Sequence, residues 1–417
     1  TIGVERVEDL FDAVPKSVFQ KSEFNLPARL TEQDVKAEVT KIAGKNKSPE
    51  ATFLGGGLYN HYIPSHVVHL AGRSEFYTAY TPYQPEVSQG ILQSIFEYQT
   101  MVTRLTAMDA TNASMYDGST ATAEAALMVG DIARKNKVLV ARSVHPQYRE
   151  VMKTYCTAKG LELVEVAFDK ATGKLDEAEL DGSIDDDTAG LFVQSPNFFG
   201  VVEDVKNLAD KMHSKNLLLA QVITEALSLG LLTPPGDNDV DIVVGEGQSF
   251  GLPVSGGGPG FGILATKEKY IRKLPGRIVG ESEDPKGNKA YVLTLQAREQ
   301  HIRREKASSN ICTNQAWCAL RGVIYLSSLG KKLRDLAILN HKNSLHFQKE
   351  LSNKNLSRTF SAPFFNEFVV DTNNATEVLN KLREKGIAGG LDLGRVYPEL
   401  ENKLLVCVTE TVTAEQM

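Results

Sequence analysis

The chain has 417 residues, 42% hydrophobic and 24% charged, enough for two domains and a sizeable core. With 46 Lys and Arg against 52 Asp and Glu, the formal net charge is -6. This balance argues against nucleic acid as a partner, and no apolar run reaches the length of a membrane span. The four cysteines, Cys156, Cys312, Cys318 and Cys407, show neither metal-type spacing nor disulfide density. They read as reduced thiols in a cytoplasmic compartment, with one redox pair and a removed transit peptide left open.

Residues 1–50 are charged and helical in pattern, with turn signals at Pro15 and Pro27 and a capped helix start at Thr31. They form an expected N-terminal helical arm, lying on a partner or on the body of the fold. From Ala51 the composition turns to Gly, Tyr and His. The run Tyr77 to Glu86 carries Tyr77, Tyr80, Thr81 and Tyr83 between prolines. Such a stiff segment presents aromatic and hydroxyl groups to a pocket or an interface, or else its rings cover the core. His61, His66 and His69 have no obvious third ligand, so no metal site is expected.

Ile91, Ile95, Tyr98, Val102 and Leu105 recur at helical spacing between Pro85 and Ala107. Next, Gly118-Ser119-Thr120 opens an alanine-rich helix. Its free N–H groups suit a phosphate, although Ser and Thr are also ordinary N-caps. Strands then alternate with helices: 137–142, helix 145–159, 161–166, 189–194, helix 204–214, 217–220, 239–244 and 261–265. That order argues for a mostly parallel sheet covered on both faces, with ligands beyond the carboxyl ends of its strands. His145, the Ser195 loop and the loop Val244 to Thr266 would all fall there. The last of these holds many glycines and no lysine; Gln248 stands early in it.

A charged helix is expected from Leu293 to Lys306, containing Arg298, His301, Arg303 and Arg304. Helices from Asn314 to Ser352 lead to strand 364–371, helix 375–385 and strand 404–408. The expected domains are therefore the arm 1–50, a large α/β domain 51–320, and a helical bridge with a small C-terminal α/β domain, 321–417. Thr413 to Met417 reads as a helix start, which suggests a chain continuing past Met417.

This layout resembles the fold-type I pyridoxal phosphate-dependent transferases: a seven-stranded-type sheet in a large domain plus a small C-terminal domain. Longer matches are more specific. Tyr80-Thr-Pro-Tyr-Gln-Pro-Glu-Val-Ser-Gln-Gly90, Asn112-Ala-Ser-Met-Tyr-Asp-Gly118, Arg298-Glu-Gln-His-Ile-Arg-Arg304 and Ser309-Asn-Ile-Cys-Thr313 look like signatures of the glycine cleavage system P-protein family. The resemblance covers essentially the whole chain. It is to the alpha subunits (subunit 1) of the two-subunit glycine decarboxylases.

The resemblance implies several things. In the family's beta subunit a lysine carries the cofactor just before the Gly-rich loop, and Gln248 stands at its place here. A glutamine amide cannot form an imine. Residues 216–230, where an aspartate would meet the pyridine nitrogen, contain none, and Gln221 is near its place. Pyridoxal phosphate is therefore expected on the beta subunit and not covalently in this chain. Gly118, Ser119, Thr120, His145, Gln221 and Gln248 would be a vestigial cofactor pocket, with no catalytic residue in this chain alone. Tyr77, Tyr80, Thr81, Tyr83 and Glu86 would be lent to the partner's site. The implied activity is decarboxylation of glycine by the pair of subunits, an oxidoreductase reaction that passes the aminomethyl group to the lipoyl arm of the H-protein. Arg298, His301, Arg303 and Arg304 would line the lipoyl path or pair across the subunit interface. Two other readings differ in class: a non-catalytic scaffold or regulatory pseudoenzyme, and an independent pyridoxal phosphate decarboxylase using Lys267 or Lys269.

Overall fold

The computed structural model describes residues 3–19 and 25–417. The chain divides into two compact units, Thr1–Ser48 and Pro49–Met417. In the first, helix α1 (Glu32–Ala43) starts at Thr31, whose hydroxyl accepts from Asp34 N while the Asp34 side chain turns back to Thr31 N. This reciprocal cap satisfies two of the N–H groups a helix start leaves over. No residue of α1 is buried.

The second unit opens with helices α2 (Ser65–Ala71) and α3 (Gln89–Thr106). Ile91, Ile95, Tyr98 and Val102 of α3 are buried, as their spacing predicts. After β1 (Ala110–Thr111) and α4 (Gly118–Ala133), strands and helices alternate. They are β2 (Lys137–Ala141), α5 (Pro146–Lys159), β3 (Glu162–Val166), α6 (Glu177–Ser183), β4 (Thr188–Gln194), α7 (Val205–Ser214), β5 (Leu218–Ile223), β6 (Ile242–Glu246) and β7 (Gly262–Thr266). The seven strands form one sheet in the order β1-β7-β6-β5-β4-β2-β3. Only β7 runs against its neighbours; the other pairings are parallel.

Every residue of β4, β5, β6 and β7 is buried. Both faces are covered, which is why these strands read as continuous apolar runs and not as alternating ones. Helix α4 lies across β5, β6 and β7. Its run Ala121, Ala123, Ala125 and Ala126, all 0% exposed, lets the helix backbone come close to the sheet at no cost in rotamer entropy.

Beyond β7 the structure departs from the sequence pattern. The expected helix 293–306 does not form. Leu293 belongs to a hairpin, β8 (Ile278–Glu283) with β9 (Lys289–Thr294), and residues 296–306 are three short helical turns. The breaks are at Leu295 and Arg304, both at positive φ, a region that interrupts an α-helix. Helices α8 (Ala316–Leu329) and α9 (Leu333–Asn353) lead to β10 (Glu367–Asp371), α10 (Ala375–Glu384), β11 (Leu391–Asp392) and β12 (Lys403–Cys407). The last three strands form an antiparallel sheet in the order β10-β12-β11. Residues Ala51–Thr52 pair in parallel with Ile387–Ala388, and Cys407 N donates to Phe53 O. The segment after Phe53 thus runs from this small sheet towards the carboxyl ends of the large one. All four cysteines are free, and only Cys312 is exposed. Among the described residues no helix is long and apolar enough to cross a membrane.

Candidate functional site

Gln248 lies two residues beyond β6 and is 2% exposed. Its Oε1 accepts from Tyr59 N at 2.9 Å, and its Nε2 donates to Tyr59 O at 3.0 Å and Leu252 O at 2.6 Å. The amide thus pairs with the backbone N–H and C=O of one residue 189 positions away and uses both of its N–H groups.

The start of α4 is occupied in a comparable way. Asp117 caps it, accepting from Thr120 N at 2.7 Å and from the Ser119 hydroxyl at 2.7 Å. Gly118 N donates at 2.9 Å to Glu246 Oε2, while Glu246 Oε1 accepts from Gln248 N and Phe261 N, each at 3.0 Å. A carboxylate from the end of β6 therefore stands where an anion would meet the helix N-terminus. Burial raises the Glu246 carboxyl to about 7, and the backbone N–H groups oppose that shift. A Cβ at Gly118 would stand 2.2 Å from the Tyr148 hydroxyl oxygen, so only glycine permits this contact.

His145 caps α5 with its own ring, Nδ1 accepting from Gln147 N. Its Nε2 bonds Gly56 O at 2.8 Å, and its backbone N–H donates to Gln194 Oε1. Burial lowers its pKa to about 4, so the ring is neutral near pH 7 with its proton on Nε2. Tyr148 and Phe198 each lie 4.8 Å from it, centroid to centroid. Gly57, at φ +107, comes so close that a Cβ there would be 2.6 Å from Nε2. The ring's surroundings are therefore protein on each of these sides.

Between His145 and Gln248 runs the chain's own segment Gly55 to His61, held by buried acids. Glu367 on β10 accepts from Gly56 N at 2.6 Å and from the Tyr59 hydroxyl at 2.7 Å. That hydroxyl also lies 3.3 Å from Thr224 Oγ1, which accepts from Gln194 Nε2. His61 sits between Glu225 and Glu410, 2.9 Å from each. Burial lowers its pKa, but the two carboxylates outweigh that and hold it at about 10. His66 and His69 are exposed in α2, and no group of three side chains placed to hold a metal ion occurs among the described residues.

Gln221 takes a different direction. Its Nε2 donates to Ser195 O at 3.2 Å, and it shares no hydrogen bond with Gln248 or His145. Lys267 and Lys269 follow β7, whose Thr266 pairs with Ile242 at the start of β6. They therefore lie at the opposite end of β6 from Gln248. Lys267 is bound to Asp239 and Asp241.

The tyrosine segment forms a separate group with a fixed base and an open tip. Tyr83 accepts from Arg277 Nη2 at 2.7 Å and packs on His301, with ring centroids 5.0 Å apart. Thr81 Oγ1 lies 3.3 Å from Thr313 Oγ1. Tyr77 and Tyr80 are 64% and 78% exposed, and Glu86 is exposed in the turn Pro85–Val87. Arg298 donates to Gly276 O; Arg303 and Arg304 are exposed.

Sequence reasoning weighed His61 only as a metal ligand, gave Tyr59 no role, and passed over Glu225, Glu246, Glu367 and Glu410. The available signal was an acid next to apolar runs, as in Ile242-Val-Val-Gly-Glu246 and Phe364-Phe-Asn-Glu367-Phe368, because a buried carboxylate demands partners.

These residues do not fit a covalently held pyridoxal phosphate. Gln248 offers no amine, Glu246 takes the Gly118 N–H, and backbone from Gly55 to Tyr59 lies against His145. The fold is nonetheless that of fold-type I pyridoxal phosphate enzymes. A glutamate decarboxylase of Lactobacillus brevis superposes with a TM-score of 0.71 at 13% identity, over 93% of this chain and 90% of that one, a likeness of fold alone. The family described as glycine cleavage system P-protein matches residues 1–417, and the chain belongs to it. A crystal structure of glycine decarboxylase (P-protein) of the glycine cleavage system, in inhibitor-bound form, matches with a TM-score of 0.91 at 41% identity, over 99% of this chain and 93% of that one. Relatives from Desulforamulus reducens (49% identical, 98% of this chain and 92% of theirs) and Moorella thermoacetica (49%, 100% and 93%) both bear the name "Probable glycine dehydrogenase (decarboxylating) subunit 1". That name implies a second subunit.

Proposed function

We propose that this chain is the cofactor-free half of a two-subunit glycine decarboxylase, shaping a reaction site whose pyridoxal phosphate is held by the beta subunit. One observation carries the reading: Gln248, at the place of the cofactor lysine, is fully engaged with Tyr59 and Leu252. The reaction is the family's, glycine giving up its carboxylate and its aminomethyl group passing to the lipoyl arm of the H-protein. When bound, the cofactor supplies the electron sink for that decarboxylation. Free cysteines agree with a cytoplasmic location.

This chain's contribution is the tyrosine segment. Arg277 and His301 fix Tyr83, so Tyr77 and Tyr80 project from a rigid base at little entropic cost. Arg277, 3% exposed, keeps Nε and Nη1 without a protein acceptor. Tyr80→Phe and Tyr83→Phe, assayed in the reconstituted pair, are expected to lower glycine turnover and lipoyl transfer by about tenfold or more. Unchanged rates in both variants would remove the segment from the site. Activity lost only through changes that separate the subunits would reduce this chain to a scaffold.

A further inference from the structure

Among the described residues three arginines are buried, Arg149, Arg277 and Arg321. Two of them are well supplied with acceptors: Arg149 bonds Val144 O, Glu165 and the Tyr397 hydroxyl, and Arg277 bonds the Tyr83 hydroxyl and Cys312 O. Arg321, on α8, is 6% exposed and makes neither an ion pair nor a hydrogen bond among the described residues. Its guanidinium lies over the Trp317 ring, 5.1 Å from the centroid. Burial lowers its pKa, and the only group acting against that shift is the Cys318 thiol; no acid contributes. A buried cation without a carboxylate calls for a reason, because desolvation is costly and pairing is what normally offsets it.

The cation can be reached from outside. Nε is enclosed, whereas Nη1 and Nη2 are neither enclosed nor bonded to protein, so the outer edge of the guanidinium meets solvent. That edge presents parallel N–H donors in the planar geometry a carboxylate matches with two bonds. The surroundings favour a carboxylate carried by a protein. Trp317 Nε1 donates to Ala71 O at the end of α2, and α2, packed against α8, leaves Val68 and Leu70 exposed at 52% and 37%. Large exposed apolar residues continue along the chain through Tyr77, Tyr80 and Tyr83 to Val87. Arg and Trp set in apolar surface is the composition of the centre of a protein interface, and a small anion would need none of the apolar part. Helix α2 leads directly into the tyrosine segment, so a partner that meets one is placed to cover the other.

We propose that the face formed by α2 and Arg321 is a contact with the second subunit, which sets a carboxylate against Arg321 Nη1 and Nη2. This rests on the two-subunit reading above. Surface plasmon resonance of the full chain on the beta subunit separates the two claims. A parent chain that does not bind removes the two-subunit reading and this contact with it. Where the parent binds, Arg321→Met, which keeps the length and removes the charge, should weaken binding by about thirtyfold or more, mostly through faster dissociation. The isolated variant should melt no lower than the parent, because a buried charge without a partner has been taken away. Arg321→Lys, which keeps the charge without the fork, should bind with intermediate strength. Parent-like binding of Arg321→Met overturns the contact and leaves the two-subunit reading standing, also where acetate then raises the Tm of the parent alone, as a small-anion site would. A methionine variant that melts lower or does not fold overturns it as well, since Arg321 would then serve this chain's own stability. Self-association of the parent that Arg321→Met abolishes, with binding to the beta subunit intact, would give the face to a second copy and likewise overturn it.

Discussion

Replacing Gln248 with lysine restores the one group an imine needs, and we expect it to fail. The wild-type amide makes three hydrogen bonds, two with Tyr59 and one with Leu252. A lysine can donate to the two carbonyls but offers Tyr59 N no acceptor, and a buried N–H left unpaired costs about 1–3 kcal/mol. The ammonium would also be desolvated, since Gln248 is 2% exposed. Several further kcal/mol go there unless Glu246 pairs with it. A net loss of about 3–5 kcal/mol lowers Tm by roughly 4–6 °C, at about 2.1 cal/mol/K of unfolding entropy per residue over the unit Pro49–Met417. Meanwhile the Gly118 N–H stays with Glu246 and the Gly55–Tyr59 backbone stays against His145. Gln248→Lys should therefore melt earlier than the parent and, with added pyridoxal phosphate, show no imine absorbance at roughly 390–430 nm. A yellow, borohydride-reducible variant with the parent's Tm would refute the reasoning.

Two further outcomes rest on the same cluster. Glu246→Ala frees the N–H groups of Gly118, Gln248 and Phe261, so Tm should fall, and inorganic phosphate should raise the variant's Tm more than the parent's; equal effects on both would count against an internal anion. The second outcome concerns pH. Burial pushes Glu203, Glu246 and Glu367 up to about 7 from 4.5, so their stabilising share is full below pH 4.5 and is lost as pH rises through 7. His61 is held at about 10 from 6.5, so its share is full below pH 6.5 and is lost as pH rises through 10. Each group adds a slope of about 1.4 kcal/mol per pH unit within its window. Tm should thus decline from pH 5 to 10, and His61→Gln should flatten the part above pH 7. A variant whose slope there matches the parent's would contradict the His61 assignment.

The large sheet was legible because its strands are buried on both faces and its helices carry ordinary punctuation, such as Gly160 closing α5 at φ +77. The hairpin β8–β9 was not. Its sequence, Ile-Val-Gly-Glu-Ser-Glu followed by Lys-Ala-Tyr-Val-Leu-Thr, is half charged or polar, and no periodicity forecasts positive φ at Leu295 or Arg304. At the site the split has another cause. Gln248 stood out in the sequence through one missing functional group, whereas the groups that hold it come from far along the chain. Tyr59 reaches Glu367 across 308 positions and His61 reaches Glu410 across 349. A single sequence has no local signal for such pairs, beyond the oddity of an acid beside an apolar run.

The most direct test is to reconstitute this chain with its beta subunit and pyridoxal phosphate, reduce with borohydride, and locate the cofactor on the separated chains. The expected result is label on the beta subunit alone, with glycine–bicarbonate exchange only in the pair. Label on a lysine of this chain, or exchange by this chain alone, would contradict the account.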